Sequence, residues 1–409
     1  MLTSGVLGIV AILGVAVLAS EKLSAINLRI VLSTLALQAA VAGFALTTTT
    51  GQAVLAVMTT GAQNIISYAD DGIIFLFGDL GDPTKMFIVA FRVLPVIIFV
   101  SSLVAVLYHL RIMQAFIQGI GFVLRTLVGT SRLESVNAAA NIFVGMVESP
   151  MTIRPYLEKL TRSQLFAVMS VGLSSVAGAV LVGYASLGVE LKYLLPAAFM
   201  SAPGGLLMAK LLVPETGTPF EPSDGELANA FYGEHKPVNV VEAAADGASA
   251  GLKLSANIGA MLIAFVALVA LINGLLGGVG GLLGFEGITL EFLLGYLFAP
   301  VAFLIGIPWE EAVQAGGLLG QKVILNEFLA YISFAEVRDV FSPHSQAVIT
   351  FALCGFANLS GMAILMGGLA GMVPSRKSEI AQLGFKTVLA GTLSNLMSAS
   401  LASVFMTLG

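Results

Sequence analysis

Long apolar runs, separated by short polar segments, dominate the pattern along the chain. A run of roughly 20 apolar residues is the length that an α-helix needs to cross a membrane. Eight runs have this character, and each predicts one membrane-spanning helix. They are residues 4–19, 29–46, 87–110, 165–187, 191–213, 254–276, 346–366 and 385–408.

Five further stretches are apolar in part and do not fit this scheme. Residues 51–77 and 111–129 are amphipathic, which is typical of helices that lie in the membrane interface. Residues 298–307 are apolar but too short to span. Residues 135–156 and 312–334 are half-apolar with polar residues in the middle, and each is long enough to enter the bilayer and turn back. Such re-entrant hairpins are allowed where the broken backbone is buried in protein or lines a cavity.

A faint internal repeat relates the two predicted hairpins. Residues 136–140 open the first and residues 313–317 open the second, and each hairpin carries a glutamate and is followed by two spans. Hairpins that enter from opposite faces form an inverted repeat, whose interface near the midplane is where secondary transporters bind substrate. The first span after each hairpin is interrupted by small or polar residues: Gly172, Ser174, Ser175 and Gly178 in one, Gly355, Asn358, Ser360 and Gly361 in the other.

The composition supports an integral membrane protein. Hydrophobic residues make up 57% of the chain and charged residues only 11%, whereas soluble domains carry about 25% charged residues. The net charge of −5 argues against nucleic acid as a partner. A single cysteine, Cys354, excludes a disulfide within one chain. His109, His235 and His344 are far apart in sequence and show no metal-ligand spacing.

The basic residues predict the orientation. With the N-terminus outside, most lysines and arginines fall in inner loops, as the positive-inside rule requires. The outer side then keeps Lys85, Lys192, Lys322 and Arg338, and Arg92 near the outer end of its span is interpreted as a snorkelling side chain. The first hairpin would enter from the cytoplasm and the second from outside.

The remaining hydrophilic residues are assigned to the membrane surface. Residues 214–251 form the long acidic segment, which predicts a mobile cytoplasmic connection. Two acidic pairs, Asp70-Asp71 and Glu310-Glu311, are interpreted as solvated interfacial charges.

Two glutamates lie in the hairpin stretches, Glu148 and Glu327. A carboxylate at bilayer depth costs several kcal/mol, so a buried one is a functional hypothesis. We predict that this pair marks a transport site. Two alternatives remain open on the residues alone: each acid could sit in a surface loop, and the Ser149-Pro150 pair is turn-like, or the pair could serve an intramembrane enzyme or channel. No Ser-His-Asp, zinc or phosphate-loop arrangement accompanies the acids.

Several motifs give the chain a family resemblance. The strongest is Gly320-Gln321-Lys322 followed by Asn326-Glu327-Phe328-Leu329-Ala330-Tyr331, which is similar to the signature of the concentrative nucleoside transporter family. Supporting segments, in the same order as in that family, are Leu94-Pro95-Val96-Ile97-Ile98-Phe99, Val106-Leu107-Tyr108, Ile112-Met113-Gln114, Pro308-Trp309-Glu310 and Gly355-Phe356-Ala357-Asn358.

The resemblance implies a fold and an activity. The fold is an all-α membrane protein with eight spans, two opposed hairpins, interfacial helices and an inverted repeat, assembled as a homotrimer in the cell (inner) membrane. The activity is import of nucleosides such as uridine and adenosine by an elevator movement. Sodium is the implied coupling ion, with proton coupling as the alternative and no other cofactor.

It also implies a division of the chain. Residues 131–213 and 312–409 would be the two repeats of a moving transport domain. Residues 1–130 would supply the N-terminal spans, interfacial helices and part of a static scaffold. Residues 214–311 would add the cytoplasmic loop, a scaffold span and a connecting segment.

The resemblance assigns substrate contacts to eight residues. Glu327 would accept the ribose hydroxyls, with Asn358 and Gly361 facing the same sugar. Phe356 and Val180 would supply apolar walls. The residues that would face the base are Met146, Val147 and Glu148.

Four further positions match the sodium-binding positions of sodium-coupled members. Asn141 and Ser175 would use side-chain oxygens, and Val144 and Val176 mainly backbone carbonyls. Judged on the residues alone, Asn141 could equally cap the second half of its hairpin, and Ser175 could bond its own backbone.

The chain departs from the common family pattern at the base-binding positions. Most members carry Gln and then Ser or Thr where this chain has Met146 and Val147, and many carry Ser where Gly361 stands. These differences remove hydrogen-bonding groups, and the Gly145-Met146 pair resembles the purine-preferring animal branch of the family. We therefore predict tolerance or preference for purine nucleosides in addition to uridine.

Overall fold

The computed structural model describes residues 1–82, 84–222, 237–282, 284 and 287–408, and these residues form helices with no β-strand among them. In chain order the α-helices are α1 (Leu2–Leu18), α2 (Leu28–Thr47), α3 (Thr49–Phe77), α4 (Val89–His109), α5 (Ile112–Val128), α6 (Arg132–Asn141), α7 (Arg162–Ser174), α8 (Gly178–Ser186), α9 (Leu191–Leu212), α10 (Val240–Leu282), α11 (Leu290–Leu304), α12 (Trp309–Ile324), α13 (Glu327–Val337), α14 (Pro343–Leu353), α15 (Leu359–Met372) and α16 (Lys377–Leu408).

Six segments of the described residues are long and apolar enough to cross a membrane. They are α2, α4, α9, α10, the pair α7–α8 and the segment Pro374–Leu408 that contains α16. A seventh is present if α11 and α12, which are bent by 116° at a short break, count as one span. The predicted first span forms α1, which has 17 residues, and the predicted span 346–366 forms two shorter helices. The total of eight spans therefore stays a prediction.

Two stretches of the chain differ from the sequence-based prediction. The segment 214–251 was predicted as a loop, but α10 begins at Val240 and runs for 43 residues; residues 223–236 lie outside the described residues. At 1.5 Å per residue α10 is about 65 Å long, about twice the roughly 30 Å hydrocarbon core. A 15-residue helix, α11, also extends well beyond the short apolar stretch 298–307.

Small residues explain the early start of α10. A Cβ atom added at Gly247 would lie 2.7 Å from the Ser101 carbonyl oxygen of α4, so only glycine lets the two backbones approach this closely. One turn later Gly251 packs against the same face of α4, and Ser255 Oγ donates to the Leu94 carbonyl oxygen at 2.7 Å. This spacing of small residues is a common membrane-helix packing motif, and it joins the two helices predicted to form the scaffold.

Both predicted interrupted spans are broken. The chain is extended at Ser175, between α7 and α8, and it leaves helical geometry again from Cys354 to Asn358, between α14 and α15. The two breaks contact each other, because the Phe356 backbone amide donates to the Ser175 carbonyl oxygen at 3.1 Å. The polar residues that mark the breaks in the sequence therefore meet inside the fold.

Each predicted hairpin consists of two helical arms with a short turn. The first arm of hairpin 1 is α6, which begins with a Ser131–Glu134 capping box, and the second is the 3₁₀ segment Ser149–Lys159. Hairpin 2 is formed by α12 and α13, with Asn326 between them. The turns place Glu148 and Glu327 at the starts of the second arms.

The predicted snorkelling of Arg92 is wrong. Its side chain is buried, and Nη1 donates to Asp70 Oδ1 at 2.7 Å and to the Gly81 carbonyl oxygen at 3.0 Å. A guanidinium at this depth needs a partner, so Asp70 belongs to an ion pair between α3 and α4. Its neighbour Asp71 is exposed. In the second acidic pair, Glu310 is exposed, while Glu311 is half-buried and accepts from the Ser342 backbone amide at 3.1 Å.

Candidate functional site

Glu327 is held at the first position of α13. Asn326 caps this helix, because its Oδ1 accepts a hydrogen bond from the Leu329 backbone amide at 2.8 Å. The partial positive charge of a helix N-terminus favours a carboxylate in the first turn. The apolar residues that follow Glu327 bury this end of the helix, and Glu327 is only 5% exposed.

The Glu327 carboxylate lies in a polar network drawn from both repeats. Its Oε1 accepts from the Tyr184 hydroxyl at 2.9 Å, and its Oε2 accepts from Asn358 Nδ2 at 2.7 Å. Asn358 is held in turn, because its Oδ1 accepts from the Gly361 backbone amide at 2.7 Å and from Ser360 Oγ at 2.8 Å. A carboxylate offers about four acceptor positions, so these two donors leave capacity for hydroxyl donors of a ligand.

Gly361 contributes through its backbone. A Cβ atom there would lie 2.3 Å from the Phe356 carbonyl oxygen, which leaves no space for a side chain unless the loop shifts. Its amide fixes the orientation of the Asn358 side chain, which then donates to Glu327. The glycine thus permits a tight turn before α15.

Tyr184 was not predicted from the sequence. It is buried on α8, with its ring centroid 4.4 Å from that of Tyr331 and 5.4 Å from that of Phe328. A tyrosine in an apolar helix carries no signal that separates it from a packing residue. Only the fold, which brings α8 against α13, identifies it as a donor to Glu327.

A second polar junction joins both breaks to hairpin 2. Asn395 Nδ2, on α16, donates to the Ser174 carbonyl oxygen at 2.7 Å and to the Cys354 carbonyl oxygen at 2.9 Å. Asn395 Oδ1 accepts from Lys322 Nζ at 2.6 Å, and the same ammonium donates to the Ala352 carbonyl oxygen at 3.1 Å.

The predicted outer-surface position of Lys322 is therefore wrong. This side chain is 2% exposed, because α12 directs it into the core. There its ammonium donates hydrogen bonds to the Asn395 side-chain oxygen and to the Ala352 carbonyl oxygen. Neither Lys322 nor Asn395 was assigned a site role from the sequence, although Lys322 belongs to the family-like signature and Asn395 is a polar residue in an apolar helix.

Two of the four positions that match sodium ligands are in contact. Ser175 Oγ donates to Asn141 Oδ1 at 3.3 Å, and both side chains are buried. Asn141 Nδ2 donates to the Asn137 carbonyl oxygen at 3.2 Å, one turn earlier in its own helix. Val176 is buried and Val144 is half-buried. Neutral oxygens at an unwound helix suit a sodium ion, so the residues present fit this ion.

The tip of hairpin 1 packs against both broken helices. Met146 is buried against Gly172 of α7, and Val147 lies against Gly368 of α15. Protein surrounds Glu148 closely, yet its side chain is accessible to solvent, so the expectation of a buried acid holds only in part. Its carboxylate lies over Gly145, where a Cβ atom would stand 2.4 Å from Oε2. Glu148 itself occupies the space that the missing side chain leaves.

The predicted site residues thus fall into three groups. Glu327, Asn358 and Gly361 form one hydrogen-bonded group, and Asn141 with Ser175 forms a second. The tip residues Met146, Val147 and Glu148 form the third. Phe356 is half-buried and links the first two groups through its backbone bond to Ser175, while Val180 is buried on α8.

Comparisons with known proteins consistently find transporters. Residues 193–403 and 7–80 match the models of the C-terminal and N-terminal parts of the Na+ dependent nucleoside transporter, and residues 90–190 match the nucleoside recognition Gate model. The transporter YutK of Bacillus subtilis is 51% identical, with 98% of both chains covered. The nucleoside permease NupC of Helicobacter pylori is 47% identical, covering 98% of this chain and 97% of its own.

A solved structure is similar over the full length. CNTnw in an inward-facing, substrate-bound state has a TM-score of 0.94 and 47% identity, with 100% of this chain and 99% of that chain covered. Other structures of CNTnw, in outward-facing and intermediate states, have TM-scores of 0.94 to 0.95.

Proposed function

The chain belongs to the Na+ dependent nucleoside transporter family, and from this premise we propose that it is a sodium-coupled symporter that imports uridine and purine nucleosides. The observation that carries the proposal is the Glu327 carboxylate, which is buried where the two broken spans and hairpin 2 meet and which keeps free acceptor positions. Because the family consists of transporters, an intramembrane enzyme is set aside.

The ribose is the part of the substrate that this carboxylate suits. Ribose hydroxyls are donors, and hydrogen bonds to an ionised acceptor are roughly twice as strong as neutral ones. Tyr184 and Asn358 hold the carboxylate in place before the sugar arrives. A site built to bond hydroxyls also rejects analogues that lack them, because its polar groups are then left unpaired.

The contact between the two breaks supports sodium coupling. A cation held by Asn141, Ser175 and the nearby carbonyls would order the first break. The Ser175 carbonyl oxygen accepts a hydrogen bond from the Phe356 backbone amide at 3.1 Å. Phe356 is two residues from Asn358, which is one of the residues proposed to bind the sugar. One backbone hydrogen bond thus connects the proposed ion ligands to the proposed sugar ligands.

The base preference is proposed to depend on the tip of hairpin 1. Met146 and Val147 offer no side-chain hydrogen bonds, so they form an adaptable apolar wall that discriminates little between polar base edges. A purine buries more ring area against such a wall than a pyrimidine does. Glu148, positioned over Gly145, would be the main polar contact to the base.

Changing these two residues should therefore shift the preference. We expect Met146→Gln combined with Val147→Thr to favour uridine and cytidine over adenosine. The glutamine and threonine side chains would then form hydrogen bonds with the polar edge of a pyrimidine. Competition of unlabelled nucleosides against labelled uridine uptake measures the shift. Failure of adenosine and other purine nucleosides to compete in the wild type would rule out the proposed purine acceptance.

The movement is proposed to carry hairpins and broken spans together past a scaffold that includes α4 and α10. The C-terminal half of α10 is apolar and exposed, with Ile263 77% and Leu275 63% exposed. Such a surface suits contact with lipid and with other subunits of a trimer. The proposed assembly is a homotrimer. A mass measurement of the purified protein in detergent checks it, and a monomer would contradict it.

Cysteine crosslinking should report the movement. In a Cys354→Ser background, one cysteine replaces Gly183 of α8, where a Cβ atom would lie 3.5 Å from Val93 Cγ1. A second cysteine replaces either Val93 or Val100, which lie two turns apart on α4. Uridine with sodium is expected to change the two crosslinking yields in opposite directions, because the proposed movement shifts α8 along α4. Equal yields with and without substrate at both positions would speak against the movement.

A matched pair inside the proposed moving body serves as the control. A Cβ atom at Gly368 would lie 3.6 Å from Val147 Cβ, a separation typical of disulfides. Cysteines at Val147 and Gly368 should therefore crosslink equally with and without substrate.

The transport proposal itself is tested by the exchange of labelled for unlabelled nucleoside across the membrane of proteoliposomes. An exchange rate no higher than that of liposomes without protein would refute it.

A further inference from the structure

The two helices that precede the breaks, α7 and α14, end close together, and carbonyl groups at both ends accept hydrogen bonds from Asn395. α7 ends at Ser174 and α14 ends at Leu353. The last carbonyls of a helix lack intrahelical donors and carry partial negative charge. Asn395 gives one amide proton to the Ser174 carbonyl oxygen and the other to that of Cys354, but a neutral amide brings no positive charge.

The second half-helix end has a positive charge of its own. Lys322 Nζ donates to the Ala352 carbonyl oxygen at 3.1 Å and to Asn395 Oδ1 at 2.6 Å. Both contacts are neutral oxygens, and the side chain is buried. The oxygens of Glu327 accept from Tyr184 and Asn358 instead, so the ammonium engages the helix end and does not bond to that acid.

The first half-helix end is built differently. The side chains beside its break are Ser175 and Asn141, whose oxygens lie 3.3 Å apart. These groups are neutral, and they are the residues proposed above to hold sodium. The two ends thus share Asn395 and differ in what supplies the positive charge.

We propose that Lys322 is a tethered counterpart of the coupling cation. In the second repeat its ammonium permanently occupies the kind of position that the exchangeable sodium occupies in the first. The inference rests on the proposed sodium site. Lys322 then acts as a positioning residue: it supplies the positive charge that holds the second break, which leads to Asn358. The first break, and with it the Ser175–Phe356 hydrogen bond, becomes ordered only with the ion.

Chemical rescue tests this role. Uridine binding to purified protein at saturating sodium is compared for the wild type, Lys322→Ala, Lys322→Met and Lys322→Arg. Removing the ammonium leaves buried acceptors unpaired, so Lys322→Ala should bind uridine at least about tenfold more weakly. Methylammonium is small enough to enter the space that alanine leaves, and by supplying the missing ammonium it should restore most of the affinity. Methionine fills that space without charge, so Lys322→Met should be weak and should not respond.

The outcomes separate this role from folding and from sodium coupling. Wild-type affinity in Lys322→Met, or a folded Lys322→Ala that methylammonium does not restore, overturns the proposal. If Lys322→Ala does not elute as a folded assembly, the comparison of Lys322→Arg with Lys322→Met decides, and equal affinities overturn the proposal. Uridine binding by the wild type in the absence of sodium would refute the sodium coupling proposed above. The methylammonium response of Lys322→Ala could still be measured in that case, so the two proposals can fail separately.

Discussion

Replacing Glu327 by glutamine is expected to lower uridine uptake at least about tenfold, because each hydrogen bond to the ionised carboxylate is worth roughly 1.5–3 kcal/mol. The surrounding contacts increase the loss. Tyr184 and Asn358 each donate to one carboxylate oxygen, and glutamine can accept only one of these donors, since its amide nitrogen is itself a donor. Initial rates of labelled uridine uptake into proteoliposomes measure the effect.

The substrate dependence of the loss makes the test specific for the sugar. Deoxyribonucleosides already lack one hydroxyl, so they should lose less than ribonucleosides when Glu327 is changed. The matched control is Glu310→Gln, which changes an exposed glutamate and should leave uptake unchanged. Normal uridine and adenosine uptake by Glu327→Gln would remove this residue from the substrate site.

The Asn141→Ala variant is expected to need sharply more sodium for half-maximal uptake, at least about tenfold if one ligand of the ion is lost. Asn141 Oδ1 is one of two buried side-chain oxygens in the proposed ion site, and Ser175 Oγ is the other. Uptake rates measured over a range of sodium concentrations give the shift. At saturating sodium the affinity for uridine should recover much of its wild-type value.

An exposed asparagine provides the control for this prediction. Asn64 lies on α3 with its side chain exposed, and Asn64→Ala should leave the sodium dependence unchanged. An unchanged sodium requirement in Asn141→Ala would show that this side chain does not bind the coupling ion.

The spans and breaks were largely predictable because their signals are local. The apolar runs of α2, α4 and α9 begin and end within a few residues of the predicted bounds. Small and polar residues inside an otherwise apolar run marked both breaks. The start of α10 was missed because the segment from Val240 to Gly251 is too polar for a span, yet its small residues pack on α4.

Charged side chains were the least predictable from the sequence, because their positions depend on distant partners. Lys322 was assigned to the outer surface by counting basic residues, but its acceptor Asn395 lies 73 residues away in the chain. Arg92 is buried because Asp70 comes from another helix. The carboxylate of Glu148 rests on Gly145 at the hairpin tip, where the protein surrounds it without excluding solvent. In each case the tertiary fold decides whether a charge faces water or protein.

The measurement that tests the central claim most directly is gradient-driven uptake by the purified protein in proteoliposomes. Moving one charge inward down about 100 mV releases about 2.3 kcal/mol, which corresponds to roughly fifty-fold accumulation before any sodium concentration gradient is added. We predict that labelled uridine accumulates above its external concentration when sodium is higher outside, and that dissipating the gradient releases it. Accumulation driven equally well by a proton gradient in sodium-free buffer would contradict the sodium-coupled account.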